Sequence, residues 1–265
     1  MGTLPTQTVL VLLLSIQLKV SSTVSEIIFF SVMKERVKKS FSAAARKYGN
    51  RALLQKRAGK ELLKRLNLIE NPYPLLDVGC GDGSLTPKGA LGLDIALGMV
   101  KEARKRWNLG VCADAEELPF KDSTFKCVIS NFALQWTQIK RSFSEIGRVL
   151  RKGGFFVASI PVEGSLKTLF ECWRETGSSL LLFKFPKEEE VFKGLKGNFE
   201  LIEFERLNLK MEFKSSKEAL KAVTEIGAKN PYGRGKRREV IKFLEIYSKN
   251  PVVEYRVFLF TAKKV

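Results

Sequence analysis

There is no histidine anywhere in the 265 residues. That one absence removes His-based nucleophilic triads, His metal sites and a His general base. Cysteine is scarce as well: Cys80, Cys112, Cys127 and Cys172 sit singly on apolar stretches, with no C-x-x-C pair. This argues against a zinc site or a disulfide framework and predicts buried, reduced thiols in a cytoplasmic protein; no metal is expected. Acids are few, 28 Asp and Glu against 46 Lys and Arg, which leaves a formal net charge of +18. Such a field favours acidic partners, and it also describes a merely Lys-rich, solvated surface. Long apolar runs are missing. Residues 9–16 fall short of the ~20 needed to span a bilayer, and Lys19 and Glu26 separate them from the next run at 27–30. No basic residue precedes the first run, so a secretory signal lacks its usual opening. Residues 1–32 read as an N-terminal extension or weak leader. Met33 reads as the natural start, 33–265 as one folded domain, and no membrane association is expected.

What is present centres on Leu75-Leu76-Asp77-Val78-Gly79-Cys80-Gly81-Asp82-Gly83-Ser84. Leu75, Leu76 and Val78 fit a strand covered on both faces. Three alternating glycines let the backbone turn sharply against a ligand with no Cβ in the way. The turn lacks the Lys-Ser/Thr ending of a phosphate-cradling loop, and G-x-G-x-G is not the dinucleotide fingerprint. A second short strand at 92–93 ends in Asp94, placed to bind the two hydroxyls of a ribose. Glycine turn, then acid, with no pyrophosphate signature, suggests a nucleoside without phosphates, of which S-adenosyl-L-methionine is the commonest cofactor. A third strand at 110–113 ends at Asp114-Ala115, an acid placed to accept from an adenine amino group with a small residue beside the ring.

Upstream, residues 34–68 read as two helices broken at Gly49-Asn50, with Val37, Phe41, Ala44, Ala45 and Tyr48 on the first apolar face and Leu53, Leu54, Ala58, Leu62 and Leu63 on the second. They are placed either to form a lid over the cofactor cleft or simply to pack against the sheet edge. Pro87 and Gly89 interrupt the first crossover, so only a turn or two fits there, leaving the site less covered on that side. Next come a helix over 95–107 and a strand over 125–129 that ends in Ser130-Asn131-Phe132-Ala133-Leu134-Gln135-Trp136. A helix over 139–150 and a strand over 155–160 follow. These steps predict an α/β, doubly wound, mostly parallel seven-stranded sheet. The C-terminal half adds a helical insertion carrying Leu166, Leu169 and Trp173, strands near 199–209 and 252–261, and helices near 217–226 and 238–248.

Together these segments resemble a class I S-adenosylmethionine-dependent methyltransferase of Rossmann-like fold. More narrowly, they resemble the malonyl-acyl-carrier-protein O-methyltransferases of biotin synthesis. The narrow resemblance rests on Phe41-Ser42-Ala43-Ala44-Ala45 with Tyr48 and Gln55, on residues 114–120 and 130–136, on Ser165-Leu166 with Trp173, and on Ile226-Gly227-Ala228 with Asn230. It implies methylation of the free carboxylate of malonyl-acyl carrier protein, an acidic partner, giving the ester that starts pimeloyl synthesis. Asp77, Gly79, Gly81 and Gly83 are then expected to shape the methionine and ribose side, Asp94 to take the ribose, and Asp114 with Ala115 the adenine. Asn131 should face the methyl-transfer zone, with Tyr48, Gln135 and Trp136 closing it. Trp173 and Arg174 are the expected substrate contacts, and Arg234, Lys236, Arg237 and Arg238 a docking cluster. A monomer is expected. A carboxylate is ionised at pH 7 and needs no general base, so a protein without histidine loses nothing.

Two rivals keep the fold: a small-molecule acceptor such as a quinone or another acid, and RNA. A third makes it a basic RNA-binding scaffold. Ser130-Asn131-Phe132-Ala133 is not the Asn-Pro-Pro-Tyr pattern used on adenine, and no Pro-Cys pair offers a nucleophile for pyrimidine carbon; nucleic acid is therefore not the expected acceptor.

Overall fold

The computed structural model describes residues 31–107, 109–231 and 233–265. The expected extension, 1–32, falls almost wholly outside the described residues. The chain divides into a unit Met1–Arg36, of which residues 31–36 are described and helical, and a unit Val37–Val265 that holds every element named below. No described helix is long and apolar enough to cross a membrane.

Residues 37–51 form α1 and Leu53–Leu66 form α2. The helix does not break at Gly49-Asn50. Gly49 stays helical, and its lack of a side chain admits the Asp82 carboxylate against the backbone; the interruption falls at Ala52. The strands and helices that follow are β1 (Leu75–Val78), β2 (Leu91–Asp94), α3 (Leu97–Trp107), β3 (Val111–Cys112), β4 (Phe125–Asn131), α4 (Ile139–Val149) and β5 (Leu150–Pro161). A cap and two long strands complete the chain: α5 (Lys167–Arg174), α6 (Glu188–Leu195), β6 (Phe199–Glu212), α7 (Ser216–Thr224), α8 (Arg237–Tyr247) and β7 (Val252–Lys264). The sheet order is β3-β2-β1-β4-β5-β7-β6. β1 to β5 pair in parallel, and β7 runs antiparallel to both β5 and β6.

β1 and the latter half of β5 read as near-continuous apolar runs because both faces are covered, whereas the edge strand β6 alternates apolar with charged residues and is largely exposed. Successive residues alternate between two cores. Leu76, Val128, Phe156, Phe258 and Phe260 pack with α4 and α6 through Phe143, Ile146 and Val191. Leu75, Cys127, Ile129, Val157 and Leu259 pack with α2 through Leu62 and Leu66. Phe156 meets Phe143 and Phe260 edge-on, both at 5.1 Å between centroids. Such pairs add about 0.5–1.5 kcal/mol each beyond their area. A third cluster joins α5, α7 and α8 to Leu54 and Ala58 of α2 and to Phe132 and Tyr255.

No helix forms between β1 and β2, as the crossover's proline and glycine imply. A groove of about 550 Å³ opens there, lined by Leu63, Leu66, Ile69, Tyr73, Leu85 and Pro87. The helix α6 has no counterpart in the sequence reading. Cys112 also departs from it: all four thiols are free, yet this one is exposed, because β3 is a two-residue strand at the sheet edge.

Candidate active site

The carboxyl ends of β1, β2 and β4 meet under α1 and α2. At the end of β1 the amides of Gly79 and Cys80 both donate to the Leu93 carbonyl of β2, at 2.7 and 3.0 Å. Doubling back so tightly requires left-handed backbone, and Gly79, Gly81 and Gly83 sit at φ of 74°, 58° and 74°. A Cβ on Gly79 would run into the side chain of Ala133, the residue that follows β4 by two. One on Gly81 would come within 3.3 Å of the Tyr48 ring. The turn is thus clamped between α1 and the segment after β4.

Three carboxylates surround it. Asp94 ends β2, accepting from Gly81 N at 3.0 Å and Ala96 N at 2.8 Å. Each oxygen keeps a further lone pair. Burial pushes its pKa up to about 6, against the pull of those two amides. Asp77 accepts a 2.6 Å hydrogen bond from the Thr86 hydroxyl. Burial raises it to about 7; the Thr86 bond works against that rise and the charge of Asp94 adds to it. Asp82 is buried, accepts from Ser84 N at 3.2 Å, and pairs with Arg106 at 3.3 Å. The cleft is lined by Tyr48, Asp77, Gly79, Gly81, Asp82 and Asn131, with Gly59 and Leu62 of α2, and no Lys or Arg among the described residues lines it. Such a site repels phosphate and attracts a cation. Burial, then the charges of Asp94 and Asp82, holds the Tyr48 phenol far above its ordinary pKa, so it stays protonated.

On the β4 side Asn131 is fixed from two directions. Its Oδ1 accepts from Ser159 Oγ at 2.6 Å, across the β4–β5 register, and its Nδ2 donates to the Gln55 carbonyl of α2 at 3.1 Å. The Gln55 side chain hydrogen-bonds the buried phenol of Tyr255. A wall of rings continues outward: Phe41 packs on Tyr48 and Trp136 at 6.5 and 5.8 Å, and Trp136 on Phe183 at 4.3 Å.

The structure therefore gathers Tyr48, Asp77, Gly79, Gly81, Gly83, Asp94 and Asn131 around one turn. Asp114 follows β3, next to Asp94, whose carbonyl accepts from Ala113 N at 3.2 Å. There Asp114 caps its own turn by accepting from Glu116 N at 2.9 Å, and Ala115 packs toward the main core. Gln135 and Trp136 lie on a 3-10 turn, Leu134–Trp136, beside the cleft rather than lining it. Gln135 Nε2 donates to the Phe132 carbonyl at 2.8 Å, while Gln135 Oε1 and Trp136 Nε1 are buried without a partner among the described residues. Trp173 is core of the cap, 5.2 Å from Phe243, and Arg174 is exposed at the end of α5; neither lines the cleft. Sequence reasoning passed over Asp82, Ser159 and Tyr255. Asp82 was legible inside the glycine turn itself, whereas Ser159 and Tyr255 are brought in by strand register alone.

Residues 76–158 match the family model described as a methyltransferase domain. The malonyl-acyl-carrier-protein O-methyltransferase of Hahella chejuensis is 31% identical over 253 residues, covering 86% of this chain and 88% of that protein. The chain belongs to that methyltransferase family. The counterpart from Methylovorus is 31% identical over 183 residues, 61% of this chain and 62% of its own length. The Hamiltonella defensa protein of the same name is 35% identical over 170 residues, and there the match spans 66% of the relative. Among solved structures, a methyltransferase of Bacillus halodurans superposes with a TM-score of 0.58 at 18% identity, covering 77% of this chain and 97% of its own. Geranyl diphosphate C-methyltransferase from Streptomyces coelicolor, solved with S-adenosyl-L-homocysteine, gives 0.52 at 14% identity, covering 79% of each chain. At those identities the likeness is one of fold: a Rossmann-like methyltransferase sheet.

Proposed function

We propose that this chain transfers a methyl group from S-adenosyl-L-methionine to the free carboxylate of malonyl-acyl carrier protein, giving the ester that enters pimeloyl and biotin synthesis. The observation that carries the reading is the cleft itself: a glycine turn propped by Asp94, lined by the carboxylates of Asp77 and Asp82, with no cation among the described residues in its lining. The bound cofactor supplies an electrophilic methyl on a sulfonium. The chain's own residues supply everything else. The backbone at Gly79 and Gly81 leaves room for the methionine and ribose. Asp94, with lone pairs to spare, suits the ribose hydroxyls, and Asp114 with Ala115 suits the adenine. Asp77 and Asp82 offer negative charge to an ammonium and a sulfonium.

Asn131, held by Ser159 and by α2, is positioned beside the transfer zone. Tyr48, Phe41 and Trp136 exclude water, which strengthens each of these interactions. The unpaired Trp136 N–H is a donor for the acyl carboxylate; a buried donor left unmade costs about 1–3 kcal/mol, so a ligand that satisfies it binds tighter. No base is called for, because the acceptor is already ionised. Positioning two reactants in a dry cleft is worth at most about 7–11 kcal/mol of barrier.

The test is an acceptor series. Malonyl, succinyl and acetyl carriers are incubated with the protein and S-adenosylmethionine, and the carrier is weighed intact. The expected result is a gain of one CH2 on the malonyl carrier, none on the acetyl carrier, which has no free carboxylate, and a much slower gain on succinyl. Equal gain on acetyl would overturn the reading.

A further inference from the structure

The positive charge of this protein is not spread evenly. Residues 37–66, which make up α1 and α2, hold ten Lys and Arg against a single Glu, half of the net +18 in about a ninth of the chain. One face of these two helices closes the cleft, through Tyr48, Gly59 and Leu62. The opposite face is solvent-exposed and basic: Arg46, Lys47, Arg57 and Lys60 are all exposed. Neighbouring charges are already matched, Arg51 with Glu225, Lys64 with Glu61, and Arg65 with Glu203 and Glu205. Arg46, Lys47, Lys56 and Lys60 have no carboxylate partner among the described residues. On α2, Leu53, expected on the buried apolar face, is instead 49% exposed. It shares a helix face with Lys56, Arg57 and Lys60 at spacings of three, four and seven.

We infer that this outward face of α1 and α2 is the docking surface for the acidic protein that carries the acyl group, an inference that rests on the carboxyl-methylation reading above. Three observations point to an acidic protein rather than to nucleic acid. The patch sits on the elements that roof the cleft, so a partner seated there holds a tethered acyl group at the mouth. On α2 it sets an exposed aliphatic side chain, Leu53, on one helix face with Lys56, Arg57 and Lys60, the pairing of apolar contact and charged rim that a protein interface uses. No exposed aromatic lies within residues 37–66, whereas single-stranded nucleic acid is held by bases stacked on rings. The cluster Arg234, Lys236, Arg237 and Arg238 is exposed too, but it stands at the start of α8 beside the cap residue Trp173, which a Cβ on Gly235 would strike. That places it with the cap and not with the helices over the turn.

The experiment uses the full chain and the triple variant Arg46→Glu, Lys47→Glu, Lys60→Glu, none of which lines the cleft. Binding of malonyl carrier protein is titrated at low and moderate salt, and methyl transfer is followed to that carrier and to malonyl-coenzyme A, which has no protein to dock. The expected result is a rise of tenfold or more in the dissociation constant and KM for the carrier, with transfer to malonyl-coenzyme A unchanged. Wild-type carrier binding should also weaken as salt rises. Unchanged carrier binding in the variant would overturn the inference, as would an equal loss with both acceptors. A loss that appears only on reversing Arg234, Lys236, Arg237 and Arg238 would overturn it in favour of α8. Loss of binding to a single-stranded RNA, with carrier binding intact, would hand the surface to nucleic acid. If the wild type methylates neither acceptor yet binds the carrier, and the triple variant does not, the docking surface stands and the methylation reading falls.

Discussion

Asp77→Asn separates the stability of this fold from its function. Burial lifts the Asp77 pKa from its ordinary 3.8 to about 7. The folded state therefore holds a proton that the unfolded chain gives up, and stability from this group is present below about pH 3.8 and lost as pH rises through 7. Three pKa units are worth about 4 kcal/mol, an upper bound on what ionising this carboxyl costs the empty fold at pH 8. Asparagine keeps an acceptor for the Thr86 hydroxyl and carries no charge. The variant without ligand should then be more stable than the wild type at pH 8 by about 1–4 kcal/mol, a rise in Tm of several degrees for a chain of this size. At pH 4 the two should melt together. Binding should go the other way. A cationic ligand needs the ionised acid, so wild-type affinity for S-adenosylmethionine should weaken as pH falls through 7 and then through 6, where Asp94 titrates. The variant should bind at least tenfold more weakly at pH 8. Scanning calorimetry and titration calorimetry across pH 4–8 read both. A variant that melts lower than the wild type at pH 8, or binds the cofactor as well, would refute the assignment of Asp77 as a strained carboxylate kept for a cation.

Three other perturbations are simpler. Gly79→Ala places a methyl against Ala133 and demands a left-handed alanine, so it should cost at least 1 kcal/mol of stability and abolish cofactor binding measured by equilibrium dialysis. Trp136→Phe keeps the ring wall with Phe41 and Phe183 but removes the unpaired N–H. It should raise KM for the acyl acceptor about tenfold with cofactor affinity unchanged, and an unaltered KM would show that the N–H is not used. A thiol reagent in native buffer should label Cys112 quickly and leave Cys80, Cys127 and Cys172 until the protein unfolds.

The legible parts of the sequence were those where local chemistry and tertiary need agree. Leu75 to Gly83 is one such place: an apolar run can only be a covered strand, and the glycines that follow can only be a turn against something. The missing crossover helix was legible in Pro87 and Gly89. The parts misread are those where a distant contact decides. Gly49 looks like a helix breaker, yet the helix runs on because Asp82 takes the space a side chain would fill. The helix α6 offers little local signal, since only Val191 and Leu195 of its eight residues are buried; Glu188, Glu189 and Glu190 occupy its first turn, where acids favour the dipole. The placement of Trp173 and Arg174 is likewise decided by a distant contact, because α5 packs on α8 in the cap. Tyr255 enters through an antiparallel strand more than a hundred residues beyond Asn131, and no local pattern marks it.

The central claim is that the glycine turn and Asp94 hold a methyl donor within reach of an acyl carboxylate. The most direct measurement is transfer of label from methyl-labelled S-adenosylmethionine to malonyl-acyl carrier protein by the wild type and by Asp94→Ala, with folding of both checked by circular dichroism. Label in the carrier with the wild type, and its loss in a folded Asp94→Ala, is the predicted result. Label absent with the wild type, or undiminished in the variant, would contradict the account.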